Sequence, residues 1–300
     1  MYNNYAIISN KKFFQVKIMK KFNFFTRLKQ NKIFNSIYCF VKKIFDDDIF
    51  GLTAELTFYL TTSFFPFLIL LLALISITPL SAEETLFKLL SNLPNEVYTI
   101  VVYMLTGVER STIIIALSGI LSFWSISGAV STINKALNRM YCTKETRHFV
   151  LIRTIGFIFA ILLAVLIILT FFLIIMGNVI GMAISRFFPS FNILWHVLRL
   201  GIAYVLLYIS LSFIYKILPN KKLNFKSITI GALFTAVLWS ASSVVFSFYV
   251  DNFSKYHIIY GGLAGIIVLI SWLYMSSAML LIGGEINAAI FLNKENKKTD

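Results

Sequence analysis

The chain has 300 residues, of which 58% are hydrophobic and only 13% are charged, and its formal net charge is +14. A water-soluble fold of this size would have too little polar surface, so the composition excludes an ordinary soluble domain. An excess of Lys and Arg is also typical of nucleic-acid binding. Here these residues flank long apolar segments, which favours contact with the anionic headgroups of membrane lipids instead.

Residues 1–49 form a basic segment that we predict to be a separate cytoplasmic region. Between residues 33 and 45, apolar side chains recur at helical spacing opposite Lys and Asn side chains. This pattern predicts an amphipathic helix that lies on the inner leaflet of a membrane. Asp46, Asp47 and Asp48 follow directly, and we expect them to mark an exposed turn or the start of a helix.

Six apolar segments follow, each about long enough to cross a hydrocarbon core that needs ~20 residues. We place the spans at residues 52–77, 112–134, 154–180, 193–215, 227–250 and 258–286. They form a predicted transmembrane domain at 50–292, and a cytoplasmic tail follows at 293–300. The sequence therefore predicts an all-α fold, a polytopic bundle of six transmembrane helices.

The positions of the basic residues predict the orientation of this bundle. If the N-terminus is inside, 22 of the 27 Lys and Arg fall on the N-terminal segment, the inner connections and the tail. The positive-inside rule then places both termini in the cytoplasm. Cys39 and Cys142 are on the same predicted side without a paired spacing, so neither a disulfide nor a thiolate metal site is indicated.

The connection at 81–110 lies on the predicted outer side. Charged residues and Pro94 interrupt it too often for a membrane span, yet Leu86, Leu90, Val97 and other apolar side chains keep helical periodicity. We predict a short helical hairpin that rests on the bundle.

Small side chains form stripes on the predicted spans. The stripes are Ser118, Ser122, Ser125, Ala129 and Thr132 in span two, Ala232, Ala236, Ser240, Ser243 and Ser247 in span five, and Gly261 with Gly265 in span six. Such stripes let helices approach closely and exchange hydrogen bonds in lipid. Tight helix packing is the favoured explanation, and a polar lining for a substrate path is the alternative.

Pro66 interrupts span one shortly after three hydroxyl side chains. A proline inside a helix removes one backbone donor and bends the helix. We expect Thr61, Thr62 and Ser63 to satisfy part of the freed backbone.

Ionisable residues within the spans predict a functional site, because each is costly in lipid unless it faces the bundle interior or water. Topology puts Glu55 and Glu285 at similar depth near the inner side, where Asn138 and Arg139 leave span two. With Asn287, these residues predict a cavity that opens inward and holds substrate. An ion-pair network that fixes the helix ends is an equally open alternative.

No motif predicts catalysis. The three histidines are on different connections without metal-ligand spacing, and the chain has no GxxxxGK[ST] phosphate loop that would make it an ATPase. We therefore expect no catalytic residue, no metal, no cofactor and no nucleic-acid partner. Oligomeric state is left open, because small-residue packing serves contacts within and between chains equally.

Ordered segments along most of residues 50–290 carry a resemblance to a known family. They include LTFYLTTSFFPFLI at 56–69, ALNRMY at 136–141, YKILPN at 215–220, IYGGLAG at 259–265, WLYMSS at 272–277 and LIGGEINA at 281–288. In order and spacing the chain resembles the YihY or BrkB family of bacterial inner-membrane proteins. That family's older label, ribonuclease BN, is generally regarded as a misassignment.

The resemblance implies six transmembrane helices in the bacterial inner membrane with cytoplasmic termini. It also implies an envelope function, since family members are linked to serum resistance and to lipid or lipopolysaccharide handling. The family's motif positions correspond to Tyr59, Pro66, Asn138, Arg139, Arg147, Pro219, Tyr260, Gly261, Trp272, Glu285 and Asn287. Arg147 thereby joins the candidate residues of the substrate cavity.

Three functions follow as hypotheses. The favoured one is handling or transport of a lipid-like or amphipathic anionic substrate, without an ATPase of the chain's own. A structural scaffold of the envelope is the alternative, in which the same polar residues only stabilise the bundle. A membrane-associated ribonuclease is a remote third hypothesis.

Overall fold

A computed structural model describes residues 32–77, 112–159, 161–162, 165, 191–252 and 263–299. This part of the chain forms seven helices and contains no strand, which confirms the all-α class. The helices are α1 Lys32–Asp46, α2 Ile49–Ile77, α3 Thr112–Met140, α4 Phe149–Phe159, α5 Phe191–Ile217, α6 Phe225–Asn252 and α7 Leu263–Thr299.

Four of the described helices are long and apolar enough to cross a membrane. The qualifying stretches are Ile49–Leu70 in α2, Ala116–Met140 in α3, Phe225–Val250 in α6 and Ala264–Glu295 in α7. They coincide with predicted spans one, two, five and six. At predicted spans three and four the described residues contain shorter apolar stretches, Phe149–Phe159 of α4 and Gly201–Ile217 of α5.

Several predictions concern residues outside the described ranges. These are the basic residues before 32, the outer hairpin at 81–110, most of span three, and the start of span six with Tyr260 and Gly261. The count of six spans therefore stays a prediction.

The chain divides into two compact units, Met1–Asp48 and Ile49–Asp300. In the first unit, the exposed apolar side chains of Tyr38, Val41 and Phe45 recur at helical spacing along α1. α1 ends at Asp46, and Asp47 and Asp48 form the turn that follows. Asp48 adopts a left-handed backbone with φ of 54°. Asp adopts that conformation more readily than most residues do. Asp48 is therefore well suited to the turn that follows α1.

In the second unit, α2 packs along α3, and α7 packs against α6, α2 and α3, while α5 packs against α6. The predicted small-residue stripes lie partly in these contacts. Ser122 and Thr132 of α3 are buried, as are Ala232 and Ala236 of α6, whereas Ser247 near the end of α6 is exposed. The stripe on α6 is thus covered at one end only.

Pro66 lies inside α2, which continues to Ile77. The neighbouring hydroxyls bond differently from our expectation. Thr61 donates to the Thr57 carbonyl, Thr62 to the Phe58 carbonyl and Ser63 to the Leu60 carbonyl. Each hydroxyl reaches back three or four residues, as short side chains in helices do. The carbonyl of Thr62 is the one deprived of a donor by Pro66, and these three hydroxyls do not supply one.

Gly265, one of the predicted close-packing pair, is exposed, and among the described residues nothing lies within 4 Å of a Cβ built on it. Gly261, the other member of the pair, is outside the described residues. The close approach occurs further along α7 instead. A Cβ on Gly283 would lie 2.6 Å from the Tyr215 hydroxyl, and one on Gly284 would lie 2.6 Å from Leu137 Cδ2. Sequence spacing identified a small-residue pair on α7 but could not indicate which neighbour faced it.

Candidate functional site

The site begins where α3 ends. Thr143 N–H donates to the Asn138 carbonyl at 2.8 Å, and Cys142 N–H donates to the Arg139 carbonyl at 3.0 Å. This pair of bonds is the Schellman arrangement, which usually has Gly at the left-handed position. Here Cys142 occupies it with φ of 51°. The chain therefore turns sharply and brings residues 143–148 back beside the end of α3.

Glu145 is the centre of the polar cluster that this turn creates. Its carboxylate accepts five hydrogen bonds, three of them from Arg147 through N, Nε and Nη2 at 3.0, 2.8 and 2.8 Å. The other two come from the side-chain amides of Asn134 and Asn138, each at 2.8 Å. Hydrogen bonds from Arg147 chiefly lower the pKa of Glu145, to about 2. The carboxylate is thus fully used by the chain's own donors.

The same cluster connects two loops. Arg147 Nη2 also donates to the Leu218 carbonyl at 2.6 Å, and Asn138 Oδ1 accepts from the backbone N–H of Asn220 at 2.6 Å. Asn220 Nδ2 in turn donates to Thr146 Oγ1 at 2.8 Å. These contacts fasten the α3–α4 connection to the α5–α6 connection. Asn138 and Arg147, two predicted cavity residues, therefore meet in an ion-pair network.

A small pocket adjoins this network. It comprises about 160 Å³, counting the open space at its mouth. Its lining is Val130, Asn134, Arg147, Ile152, Ile155 and Leu218. In this conformation the pocket is too tight to hold a lipid or a sugar.

Glu55 forms a different contact. Its Oε1 accepts from Thr132 Oγ1 at 3.0 Å and its Oε2 from Lys135 Nζ at 3.0 Å. The side chains of Lys135 and Glu55 are 63% and 37% exposed. This pair lies at the surface and ties α2 to α3, and it is the kind of ion pair that contributes little to stability.

Glu285 and Asn287 lie in the interior, and both side chains are 0% exposed. Two positions along a helix are about 200° apart, so they face different neighbours. Asn287 Oδ1 accepts from the Gly231 N–H of α6 at 2.7 Å. Glu285 lies near Tyr141, where burial first, and the Glu285 charge second, raise the pKa of Tyr141 above its usual range. Among the described residues, Asn287 Nδ2 and the Tyr141 hydroxyl have no hydrogen-bond partner.

The crossing of α6 and α7 positions Asn287. A Cβ on Gly231 would collide with the Gly283 carbonyl and would lie 2.5 Å from Asn287 Cγ. The Tyr215 hydroxyl bonds Thr235 Oγ1 at 2.8 Å and donates to the Leu280 carbonyl at 2.7 Å. Only glycine fits where two backbones approach this closely.

The other predicted residues lie around this core. Arg139 is exposed, in contrast to the buried Glu285. The Tyr59 ring fills the space beside Gly128 on α3, and Pro219 is buried in the α5–α6 turn. Trp272 packs on Trp239 and Phe246, with ring centroids 5.6 and 5.1 Å apart. These aromatic contacts join α6 to α7.

Sequence analysis missed Glu145, Asn220 and Tyr215. The detectable signal for Glu145 was an acid within the basic stretch Lys144 to Arg147, where a lone carboxylate predicts an ion pair. Among the described residues, no three His, Cys, Asp or Glu side chains are grouped so that they could hold a metal ion.

Comparison with known proteins gives consistent results. The profile of the Virulence factor BrkB family matches residues 40–300. The ribonuclease-like protein YfkH of Bacillus subtilis (strain 168) is 35% identical over 263 residues, which cover 83% of this chain and 91% of that protein. A UPF0761 membrane protein of Glaesserella parasuis serovar 5 (strain SH0165) is 29% identical over 160 residues, covering 52% and 54% of the two chains.

A UPF0761 membrane protein of Vibrio vulnificus (strain YJ016) is 40% identical over 77 residues, covering 26% of this chain and 25% of that protein. No solved structure matches the chain significantly. The family match covers well over half of the chain and agrees with the four apolar helices long enough to cross a membrane. The chain belongs to the Virulence factor BrkB family of membrane proteins.

Proposed function

We propose that this protein is a six-span protein of the bacterial plasma membrane, with both termini in the cytoplasm, that handles or transports a lipid-like or amphipathic anionic substrate. The observation that carries the proposal is the complete burial of Glu285 in a helix long enough to span the membrane. Ionisable groups at such depth are costly and commonly mark substrate paths.

Two buried polar groups in this region of the bundle favour an oxygen-rich substrate. The Tyr141 hydroxyl and Asn287 Nδ2 are buried donors without acceptors among the described residues. Unsatisfied buried donors cost free energy that phosphate or sugar oxygens would recover on binding. Arg139 is exposed at the adjoining end of α3, where a positive charge would attract an anionic headgroup.

Entry to this site requires the helices to separate. The contact between Gly231 and Gly283 and the full burial of Glu285 leave no open path in the present conformation. The chain has no phosphate-binding loop of the ATPase type, so substrate movement would draw on a gradient or on the membrane itself.

Native mass spectrometry in lipid nanodiscs tests the proposal. We expect the wild-type protein to retain a lipid or lipid-linked sugar that Glu285→Gln and Arg139→Gln variants lose. Glu295→Gln is the matched control, since it changes an exposed acid on the same helix. Equal ligand retention in folded wild type and Glu285→Gln would overturn the proposal. If Glu285→Gln fails to fold, the exposed Arg139 still provides the test.

A scaffold function is the second candidate, and the saturated carboxylate of Glu145 favours it. All five hydrogen bonds of that group come from the chain, which leaves it no free role in binding substrate. In this case, variants of the polar residues would melt at lower temperature without a separate functional defect. The name of YfkH also suggests ribonuclease activity. The consecutive acids Asp46, Asp47 and Asp48 lie at the end of α1 and in the turn that follows, and they do not converge on a metal pair.

A further inference from the structure

Arg153 is a basic residue that the polar network does not use. It lies in α4, where its carbonyl accepts a hydrogen bond from Ser127 Oγ of α3 at 3.4 Å. A Cβ on Gly156 would lie 3.0 Å from Ser127 Cα, so the two helices are in close contact here. Arg153 directly precedes predicted span three at 154–180. It is therefore expected where the predicted inner connection enters the membrane, at the level of the lipid headgroups.

The guanidinium of Arg153 lies between two aromatic rings. Its Cζ is 4.9 Å from the ring centroid of Trp124 and 5.2 Å from that of Phe149. These rings are 63% and 66% exposed, and the neighbouring Val150 and Ile158 are exposed as well. The surface around the charge is therefore apolar, as expected where helices face lipid.

The charge of Arg153 has no partner among the described residues. Its Nε and Nη1 atoms are buried without a hydrogen-bond acceptor. Arg153 takes no part in the ion pairs that Lys43, Lys135, Arg147 and Lys221 form with acidic side chains. Two aromatic faces offset part of the cost of a cation at this depth, but they accept no hydrogen bond in the guanidinium plane.

We propose that Arg153, Trp124 and Phe149 form a binding site for the phosphate of an anionic phospholipid on the lipid-facing surface of the bundle. A guanidinium offers paired N–H donors that match phosphate oxygens, and stacking on rings fixes its plane while leaving its edge for the anion. Both rings are more than half exposed, so they can turn outward without disturbing the core. The apolar surroundings select a lipid headgroup over a free anion. This site lies outside the proposed Glu285 cavity and does not depend on it.

Quenching of Trp124 fluorescence by brominated lipid tests the site in the full-length protein. Two nanodisc samples are prepared, both of phosphatidylcholine and phosphatidylglycerol. In the first the phosphatidylglycerol carries the brominated chains, and in the second the phosphatidylcholine carries them. Each sample is compared with its Trp124→Phe counterpart, which isolates the Trp124 signal. We expect phosphatidylglycerol to be preferred at Trp124 by about tenfold in the wild type. Arg153→Gln should abolish the preference, and Lys222→Gln, which removes an exposed cation from the α5–α6 connection, should keep it.

Three results would overturn the proposal. One is an unchanged lipid preference in Arg153→Gln, and another is displacement of the lipid by excess inorganic phosphate, which would indicate a free-anion site. If Arg153→Gln does not fold, Arg153→Lys decides, because Lys keeps the charge but loses the paired donors. A full wild-type preference in Arg153→Lys would then exclude recognition through the guanidinium. The Glu285→Gln variant distinguishes this site from the proposed cavity. It should lose the ligand of the cavity in native mass spectrometry and keep the quenching of Trp124 unchanged.

Discussion

Glu145 shows how one side chain organises the end of the bundle at which α3 turns into the α3–α4 connection. Its carboxylate and the guanidinium of Arg147 are largely covered, at 25% and 16% exposed. Both bond Asn134, and the carboxylate also accepts from Asn138. Charged hydrogen bonds of this kind contribute more than an exposed ion pair does. Because these bonds hold the α3–α4 connection against the end of α3, their loss would loosen that connection.

We expect Glu145→Gln to lower the free energy of unfolding by about 1–3 kcal/mol at neutral pH. The folded-state pKa of about 2 lies below the ordinary value of 4.5, so the contribution is complete above pH 4.5 and is lost as the pH falls toward 2. In thermal melts in detergent, the melting temperature of the wild type should fall toward that of the variant over that pH range. Glu295→Gln removes the exposed partner of Lys221 and should change stability by no more than about 0.5 kcal/mol. A difference in melting temperature between wild type and Glu145→Gln that stays constant down to pH 2 would contradict the lowered pKa of Glu145.

The α6–α7 crossing is the closest helix contact in which predicted site residues take part. Gly231 and Gly283 face each other there, and Asn287 closes the contact through the Gly231 N–H. In lipid the packing of such surfaces replaces the hydrophobic effect as the driving force between helices. A larger side chain at this point could not be accommodated by side-chain movement, because the backbone of one helix lies opposite the backbone of the other.

We expect Gly231→Ala to destabilise the protein by about 1–3 kcal/mol, since its Cβ would collide with the Gly283 carbonyl. Gly265→Ala is the matched control on α7, because a Cβ there meets no described residue within 4 Å. That change should be neutral or stabilise the helix by up to about 1 kcal/mol. Melting temperatures of the purified variants measure both effects. Destabilisation by Gly265→Ala would show instead that a second chain packs on this face.

The distribution of charge across the whole molecule bears on its orientation. Most basic residues lie on connections that we predict to be cytoplasmic, and the exposed Cys39 and Cys142 are on the same predicted side. The network around Glu145 would then lie at the inner face of the membrane, where lipid headgroups and cytoplasmic components are accessible.

A thiol reagent that cannot cross membranes tests this orientation with the native cysteines. In intact bacterial cells whose outer barrier has been removed, we expect neither Cys39 nor Cys142 to be labelled, and both to be labelled after permeabilisation. Lys255→Cys, on a predicted outer connection, should react before permeabilisation. Labelling of Cys142 in intact cells would reverse the predicted topology, and a failure of Lys255→Cys to react would place that connection inside.

Part of this structure could be predicted from the order of residues alone. The all-α class, four apolar helices long enough to span a membrane, the turn at Asp46 to Asp48 and the family follow from local pattern, because hydrophobic length and helical spacing act over short stretches of chain. The expectation that Glu285 faces away from lipid also follows, since charged groups avoid lipid. The inward-opening cavity that we predicted around Glu285 and Asn287 stays a prediction.

The partners of these residues depended on tertiary structure. Asn138 bonds Asn220 across 82 positions and Gly231 bonds Asn287 across 56. No periodicity specifies such pairs, because they result from how helices cross and not from either helix alone. For the same reason, sequence analysis grouped Glu55 with Glu285 by depth, whereas the structure pairs Glu55 with Lys135 at the surface. Local spacing thus determines which faces are polar, and helix packing determines which polar groups meet.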